Sequence, residues 1–409
     1  MRRDFALLWS AQTTSVLGNE ISMMAIPLVA GLVLNASPFE MGVLAAAGKL
    51  PVLFVSLPAG ALVDRWRKRR VMVATLLVAG TAMLTVPVGA VAGTLTMTQL
   101  YAVAMIVGIC ETIYNPAFQS YPLFLLGPER LMDGNAKLST SGTAASTIGP
   151  GVGGFLVGLA GPAKAVLADA LSYFAAALMI GLIRKPETSE RRRSLKTDMK
   201  DGLRYVVSHP VLRWITLQSA IVSFLLAGSI ALYRVYAVKE LHWSPVAFGV
   251  VMGVSSLGGV LGGLVARRLT DRFGMTRVML WASLCFVIGE LPLPLVSPGL
   301  AGQVIVGLAW TFLLVGALVF NVTQRSYRQL VTPKELQGRL AATTRFLTWG
   351  ATPLGALLAG AVAEFAGMRL TLLFEAVGLL LGPVVLWLSP LRTAQPQQPG
   401  DHHETPQRA

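Results

Sequence analysis

The sequence predicts an all-α integral membrane protein of twelve transmembrane helices, arranged as two six-helix bundles related by a pseudo-twofold axis. Three observations predict it. Of 409 residues, 54% are hydrophobic and only 13% charged, whereas about a quarter of a soluble domain is charged. The apolar residues gather into twelve runs, each near the ~20 residues that a helix needs to cross the hydrocarbon core. The chain also matches itself at a single offset, so the runs fall into two sets of six.

The runs lie at about 5 to 33, 41 to 63, 71 to 92, 98 to 122, 137 to 160, 163 to 183, 211 to 237, 244 to 266, 277 to 297, 300 to 323, 339 to 363 and 368 to 390. Lipid offers no partner for an open backbone amide, so each is read as a helix. Met1-Arg2-Arg3 and the long run behind it are read as the first span. The run is too long for a secretory signal and lacks a small-residue cleavage site.

Basic residues sort the connectors. Arg65 to Arg70, Arg184 to Arg204, Arg267 to Arg277 and Arg325 to Arg339 all fall on one side, while Lys164, Arg234, Lys239 and Arg369 are the basic residues near the other. The positive-inside rule then places both termini in the cytoplasm. The same placement accounts for the net charge of +14 without a nucleic-acid partner, and Glu190-Arg191-Arg192-Arg193 is read as a solvated loop facing membrane lipid. Cys110 and Cys285 sit in apolar runs without disulfide or zinc spacing, and read as packing residues. The polar, Pro-rich end, with His402 and His403, cannot bury enough surface to order itself. No cofactor is expected. The domain reading is residues 1–183, a first bundle; 184–210, a cytoplasmic linker; 211–391, a second bundle; and 392–409, a disordered cytoplasmic tail.

At an offset of 207 places, SPFEMGV (37 to 43) lies over SPVAFGV (244 to 250) and DRWRKRRVM (64 to 72) over DRFGMTRVM (271 to 279). Asp64 falls on Asp271, Arg65 on Arg272 and Arg70 on Arg277, while Asp169 and Glu375 match with a shift of one. Parallel repeats of this kind are one plan by which secondary transporters build a central site between rocking halves.

These residues resemble the major facilitator superfamily, from Phe5 to Leu391. AGALVDRWRKRR (59 to 70) is similar to its Gly-x-x-x-Asp-Arg-x-x-Arg signature between spans two and three, with Asp271-Arg272 a weaker copy. Gly149-Pro150 and Gly153-Gly154, in STIGPGVGGFLVG, resemble the GPxxGG core associated with its exporters. SVLGNEISMMAIPL, AAGKLPVLF, YNPAFQSYP, DALSYF and HPVLRWITL together resemble its bacterial multidrug, macrolide and siderophore exporters. The resemblance implies export of small amphipathic molecules across a bacterial inner membrane by alternating access, coupled to protons or another ion, by a monomer. An importer or lipid flippase of the same fold is the alternative within transport. A channel would want a filter or charged ring, and an enzyme or ATPase would want a GxxxxGK[ST], HExxH or GxSxG arrangement that the chain does not show.

Three groups of residues follow. Asp64, Arg65, Arg70, Asp271 and Arg272 are gating candidates. The Asp64 carboxylate can accept from Arg or from amides at a helix amino terminus, and the resemblance implies a latch on span eleven; the basic residues also simply fix topology. Gly149, Pro150, Gly153 and Gly154 strip bulk from one face of span five and interrupt its hydrogen-bond ladder. That face is either a sliding interface or ordinary small-residue packing. Finally, a charge at mid-membrane costs about 2.5–3.5 kcal/mol on insertion scales, and Glu20, Lys49, Glu111 and Asp169 fall at about one depth. The resemblance puts spans one and four on the cavity and span six outside it. Glu20, Lys49 and Glu111 are therefore the substrate or proton candidates, with Glu20 neutralised by Lys49 either in passing or permanently. Asn321, Gln324, Glu290, Arg345, Trp310 and Trp349 extend the candidate cavity in the second half, and Asp169 and Glu375 are assigned to the fold.

Overall fold

A computed structural model describes residues 2–56, 66–185 and 203–390. Twelve helices in it are long and apolar enough to cross a membrane. They are α1 (Arg2–Leu28, continued by a π-helical Val29–Val33), α2 (Pro38–Ser56), α3 (Lys68–Val91), α4 (Met97–Leu126), α5 (Leu131–Ala160), α6 (Pro162–Gly181), α7 (Leu212–Lys239), α8 (Pro245–Phe273), α9 (Met275–Leu295), α10 (Leu300–Val331), α11 (Lys334–Ala366) and α12 (Met368–Leu388). Helices α1–α6 form one bundle and α7–α12 the other, as the repeat predicts. The carboxylate of Asp4 accepts from the Arg184 amide at 3.4 Å, so the start of α1 and the end of α6 share one side. That side is called terminal below, and the opposite side far. The expected cytoplasmic tail and most of the linker lie outside the described residues.

The turns repeat along with the spans. Ser37 and Ser244 each cap a helix that begins with proline, Ser37 in a reciprocal pair with Glu40 and Ser244 accepting from the Ala247 amide at 3.1 Å. Such caps satisfy orphan amides, and Pro at the first helical position has no amide to orphan. The α5–α6 and α11–α12 corners each turn on a glycine, Gly161 and Gly367, at φ +83°.

Several helices outrun the apolar runs that announce them. On the terminal side α8 reaches Phe273 and α10 reaches Val331, where the runs end near 266 and 323. Hydropathy marks where lipid stops. The backbone stays helical until a stop signal such as Gly274, at φ +80°, and the added turns carry Arg267, Asp271, Arg325 and Arg328. Two spans are also interrupted: α9 breaks at Leu291, before Pro292, and α12 at Leu379–Leu380. A proline cannot donate within the ladder and its ring clashes with the preceding turn. Glu290 is thus the last residue of its helical segment.

Each bundle is pinned by a carboxylate set into a notch. Asp169 of α6 is 0% exposed; it accepts from Ser172 at 3.1 Å and packs where Gly18 of α1 leaves no side chain. Glu375 of α12 accepts from Ser229 of α7 at 3.1 Å and lies against Gly228. These are the two acids that the repeat assigns to the fold, and each accepts one hydroxyl hydrogen bond, which offsets part of the cost of burying it. A Cβ at Gly228 would overlap the Glu375 Oε1 and the Ala359 Cβ. Gly228→Val is therefore expected to destabilise the second bundle by about 1–3 kcal/mol, the usual cost of overpacking. Thermal unfolding in detergent would report it as a lower midpoint, and an unchanged midpoint would contradict the notch.

Candidate substrate pathway and far-side closure

The GPxxGG stretch of α5 serves two neighbours on two faces. Gly149 and Gly153, four residues apart, turn toward α1. A Cβ at Gly149 would overlap the Glu20 Cβ and lie 2.8 Å from its Cγ, and one at Gly153 would lie 3.2 Å from the Ile21 Cα. Pro150 and Gly154, again four apart, turn toward α8 of the other half. A Cβ at Gly154 would lie 2.5 Å from the Pro245 carbonyl oxygen and 3.0 Å from the Gly249 Cα, and one at Gly249 would lie 2.5 Å from the Pro150 carbonyl oxygen. Residues at i and i+4 share a helix face. Helix α5 is therefore a plate between its own first helix and the opposite half, with backbone on backbone at Gly154–Gly249.

The same crossing occurs a second time. A Cβ at Gly42 of α2 would lie 2.5 Å from the Ala356 carbonyl oxygen of α11 and 2.9 Å from the Gly360 Cα; one at Gly360 would lie 2.8 Å from the Pro38 carbonyl oxygen. Gly42 matches Gly249 at the repeat offset, and Gly154 matches Gly360 with a shift of one. The pair was not singled out from the sequence, although Gly42 and Gly249 are the sixth residues of the two matched stretches SPFEMGV and SPVAFGV. Both crossings are near the far-side starts of α2 and α8, so the two halves meet there backbone to backbone. Toward the terminal side the α5–α8 pair opens, with Gly142 of α5 and Gly259 of α8 each having open space where a Cβ would stand, while α2 and α11 stay close, a Cβ at Gly350 lying 2.7 Å from the Leu53 side chain.

Between the two halves lies a central cavity of about 560 Å³, walled by α2, α4, α7 and α11, with Lys49, Glu111, Asn115 and Arg345 among its polar lining. The Arg345 guanidinium stands 4.2 Å over the Trp349 ring, also on the cavity wall. Glu111 additionally faces a smaller recess of about 230 Å³ inside the first bundle, with Gln12, Asn19 and Tyr114. Asn321 and Gln324 line a third cavity, inside the second bundle, where Gln324 donates to Asn321 at 2.9 Å and accepts from Ser219 at 3.2 Å.

Glu20 is placed differently from the expectation. It makes no ion pair with Lys49, which lines the central cavity. Instead Glu20 packs on Gly149, beside the Ser146 hydroxyl, and the cation near enough to bear on its charge is Arg234 of α7. The reason is spatial: Gly149 opens a slot that the Glu20 stem fills, which turns the carboxylate along α5. Arg234, read from sequence as an outer-end basic residue, is buried, donates to the Ile230 carbonyl at 3.0 Å and stacks 4.6 Å over the Tyr233 ring. Its partner is legible only once the halves are assembled.

Of the gating candidates, Asp64 and Arg65 lie outside the described residues. Arg70 is exposed at the start of α3. Asp271 pairs at 3.5 Å with Arg267 one turn back on its own helix, and Arg272 stacks on the adjacent Phe273. Among the described residues, neither is paired with the other half. Two exposed partners on one helix contribute little to stability, about 0.3–0.5 kcal/mol.

A symmetry-related pair of glycine crossings, a central cavity between the halves and a helical duplication are the marks of a transporter of the major facilitator superfamily. The family model described as transmembrane secretion effector matches residues 1–409, and the chain belongs to that family. It is 28% identical over 412 residues to the "Multidrug efflux pump Tap" of Mycolicibacterium fortuitum, covering 96% of this chain and 97% of that one. Among solved structures, the nucleoside transporter NupG superposes with TM-score 0.77 at 14% identity, covering 97% of this chain and 100% of that one. A bacterial homologue of the iron transporter ferroportin superposes with TM-score 0.76 in its inward-facing state (16% identity; 95% and 98% covered) and 0.61 in its outward-facing state (16%; 96% and 100%).

Proposed function

We propose that this chain is a secondary exporter of small amphipathic molecules, working as a monomer in a bacterial inner membrane with both termini cytoplasmic. It moves substrate by alternating access. The observation that carries the reading is the pair of pseudo-symmetric glycine crossings at one end of a cavity walled by both halves: two rigid bodies touching through bare backbone can rock about that contact. With the terminal side cytoplasmic, the conformation described is closed outward and open inward, in keeping with the better match to the inward-facing ferroportin homologue. Export, rather than import or lipid flipping, is favoured by the GPxxGG stretch and by the relative named as a multidrug efflux pump. A proton exchanged at the carboxylate layer of Glu20 and Glu111 supplies the drive.

Accumulation of a macrolide and of a cationic dye in cells with and without the intact chain tests this reading. At least threefold lower accumulation with the chain, abolished when the proton gradient is collapsed, is expected. Equal accumulation would refute export, and export that survives collapse would refute proton drive.

A further inference from the structure

The second bundle encloses a chamber of its own, of about 390 Å³, between α7, α8, α9 and α10. It meets the central cavity along Ser223, Leu226 and Ile230, which line both. From Gln218 to Tyr233 its α7 wall spans about 22 Å at ~1.5 Å per residue. Its two ends differ. The terminal-side end is an amide cluster, Gln218 with the bonded set Ser219, Gln324 and Asn321. The far end holds Glu290, at the break in α9, on the same wall as Tyr233 and Trp310, whose rings meet edge to face at 5.2 Å. Between the ends the walls are apolar, with Phe286, Leu313 and Leu314.

Two polar groups in this chamber are nine-tenths or more buried and lack a committed protein partner. The Trp310 Nε1 has no hydrogen-bond acceptor, at 5% exposure. Glu290 is 8% exposed. The hydroxyl beside it, Ser229, has one proton and two carboxylates in reach, and its hydrogen bond goes to Glu375 at 3.1 Å. Buried polar groups left open are costly. An acid and a free indole donor at one end, an apolar middle and amides at the other suit a molecule with a cation on one end, an apolar body and acceptor oxygens. Burial beside aromatic faces further favours a diffuse organic cation over a small hydrated one.

We infer that this chamber is a binding site for elongated amphipathic organic cations, with the cationic group on Glu290 and the apolar body lying between α7 and α10. The site rests on the exporter reading for its place in a transport cycle, but its occupancy can be measured alone. Rhodamine 6G, an ester monocation, and its hydrolysed, net-neutral acid serve as probes, with fluorescence anisotropy on the purified full-length protein. Glu290→Gln is expected to weaken the monocation at least tenfold and the acid less than threefold. Glu290→Asp should keep the monocation within threefold, and Leu314→Trp, which fills the chamber, should weaken both probes at least tenfold.

No binding of the monocation by the wild-type chain would overturn the site. So would an unchanged affinity in Glu290→Gln, an equal loss for both probes in that variant, or full affinity in Leu314→Trp. A Glu290-dependent site in a chain that leaves dye accumulation in cells unaltered would instead retain the chamber and remove the exporter reading.

Discussion

Gly154→Val is expected to reduce transport at least tenfold and to part the far-side ends of the two halves. A Cβ there meets a backbone carbonyl at 2.5 Å and a backbone Cα at 3.0 Å, and neither can swing aside as a flexible side chain would. The helices must separate by about 1 Å for a methyl group alone, and further for valine, because packed interiors leave no void to absorb the volume. Overpacking of this kind costs about 1–3 kcal/mol, borne by the conformation in which Gly154 touches Gly249. At about 1.4 kcal/mol per factor of ten, the population shifts away from that conformation by roughly five- to 150-fold. Gly42→Val acts at the symmetry-related crossing, and the two effects should add because the sites share no contact.

Spin labels at Thr94→Cys and Pro298→Cys would read the separation. Both positions are exposed on far-side turns, one in each half, and the buried native thiols Cys110 and Cys285 would first be replaced by serine. Longer distances in Gly154→Val are expected, and none in Gly181→Ala, where a new Cβ meets open space. Unaltered distances together with wild-type transport would mean that the crossing is incidental.

How much of this was readable beforehand follows from what each signal measures. Span number, the six-plus-six division and the repeat were legible because lipid makes hydropathy and helix formation the same statement. The ends were not, since helices such as α8 and α10 continue past the apolar zone until Gly274 or Thr332 stops them. The GPxxGG stretch announced a bare helix face but not that it has two: only assembly shows Gly149 and Gly153 on α1, with Pro150 and Gly154 on α8. Depth counting grouped Glu20 with Lys49 along the membrane normal. It carried no information about direction around each helix, so it missed that Glu20 turns to α5 and Arg234 while Lys49 turns to the central cavity. Arg234 itself was masked by the rule that basic residues mark membrane edges.

The placement of Glu20 yields the second large effect. Glu20→Gln keeps the volume in the Gly149 slot and a group able to hydrogen bond with Ser146, so the fold should survive while the charge is lost. Transport is expected to fall at least tenfold, and the residual rate should no longer respond to the proton gradient. Gly149→Ala makes the complementary change: the carboxylate stays, but its stem is pushed from the slot, so the rate should fall while gradient dependence persists. Arg234 adds a test of how the two halves sense each other. With an effective dielectric near 20, two unit charges a few ångströms apart interact by a few kcal/mol, falling as they separate; a pair beyond contact distance should retain about 1 kcal/mol. In a double-mutant cycle on the spin-label populations, Glu20→Gln and Arg234→Gln should each open the far side, and the double variant should open it less than their sum. Strict additivity would mean that Glu20 acts within its own half. A coupling near 1 kcal/mol would mean instead that removing its charge loosens the outward closure directly, since the same α5 that seats Glu20 through Gly149 carries Gly154 at the crossing.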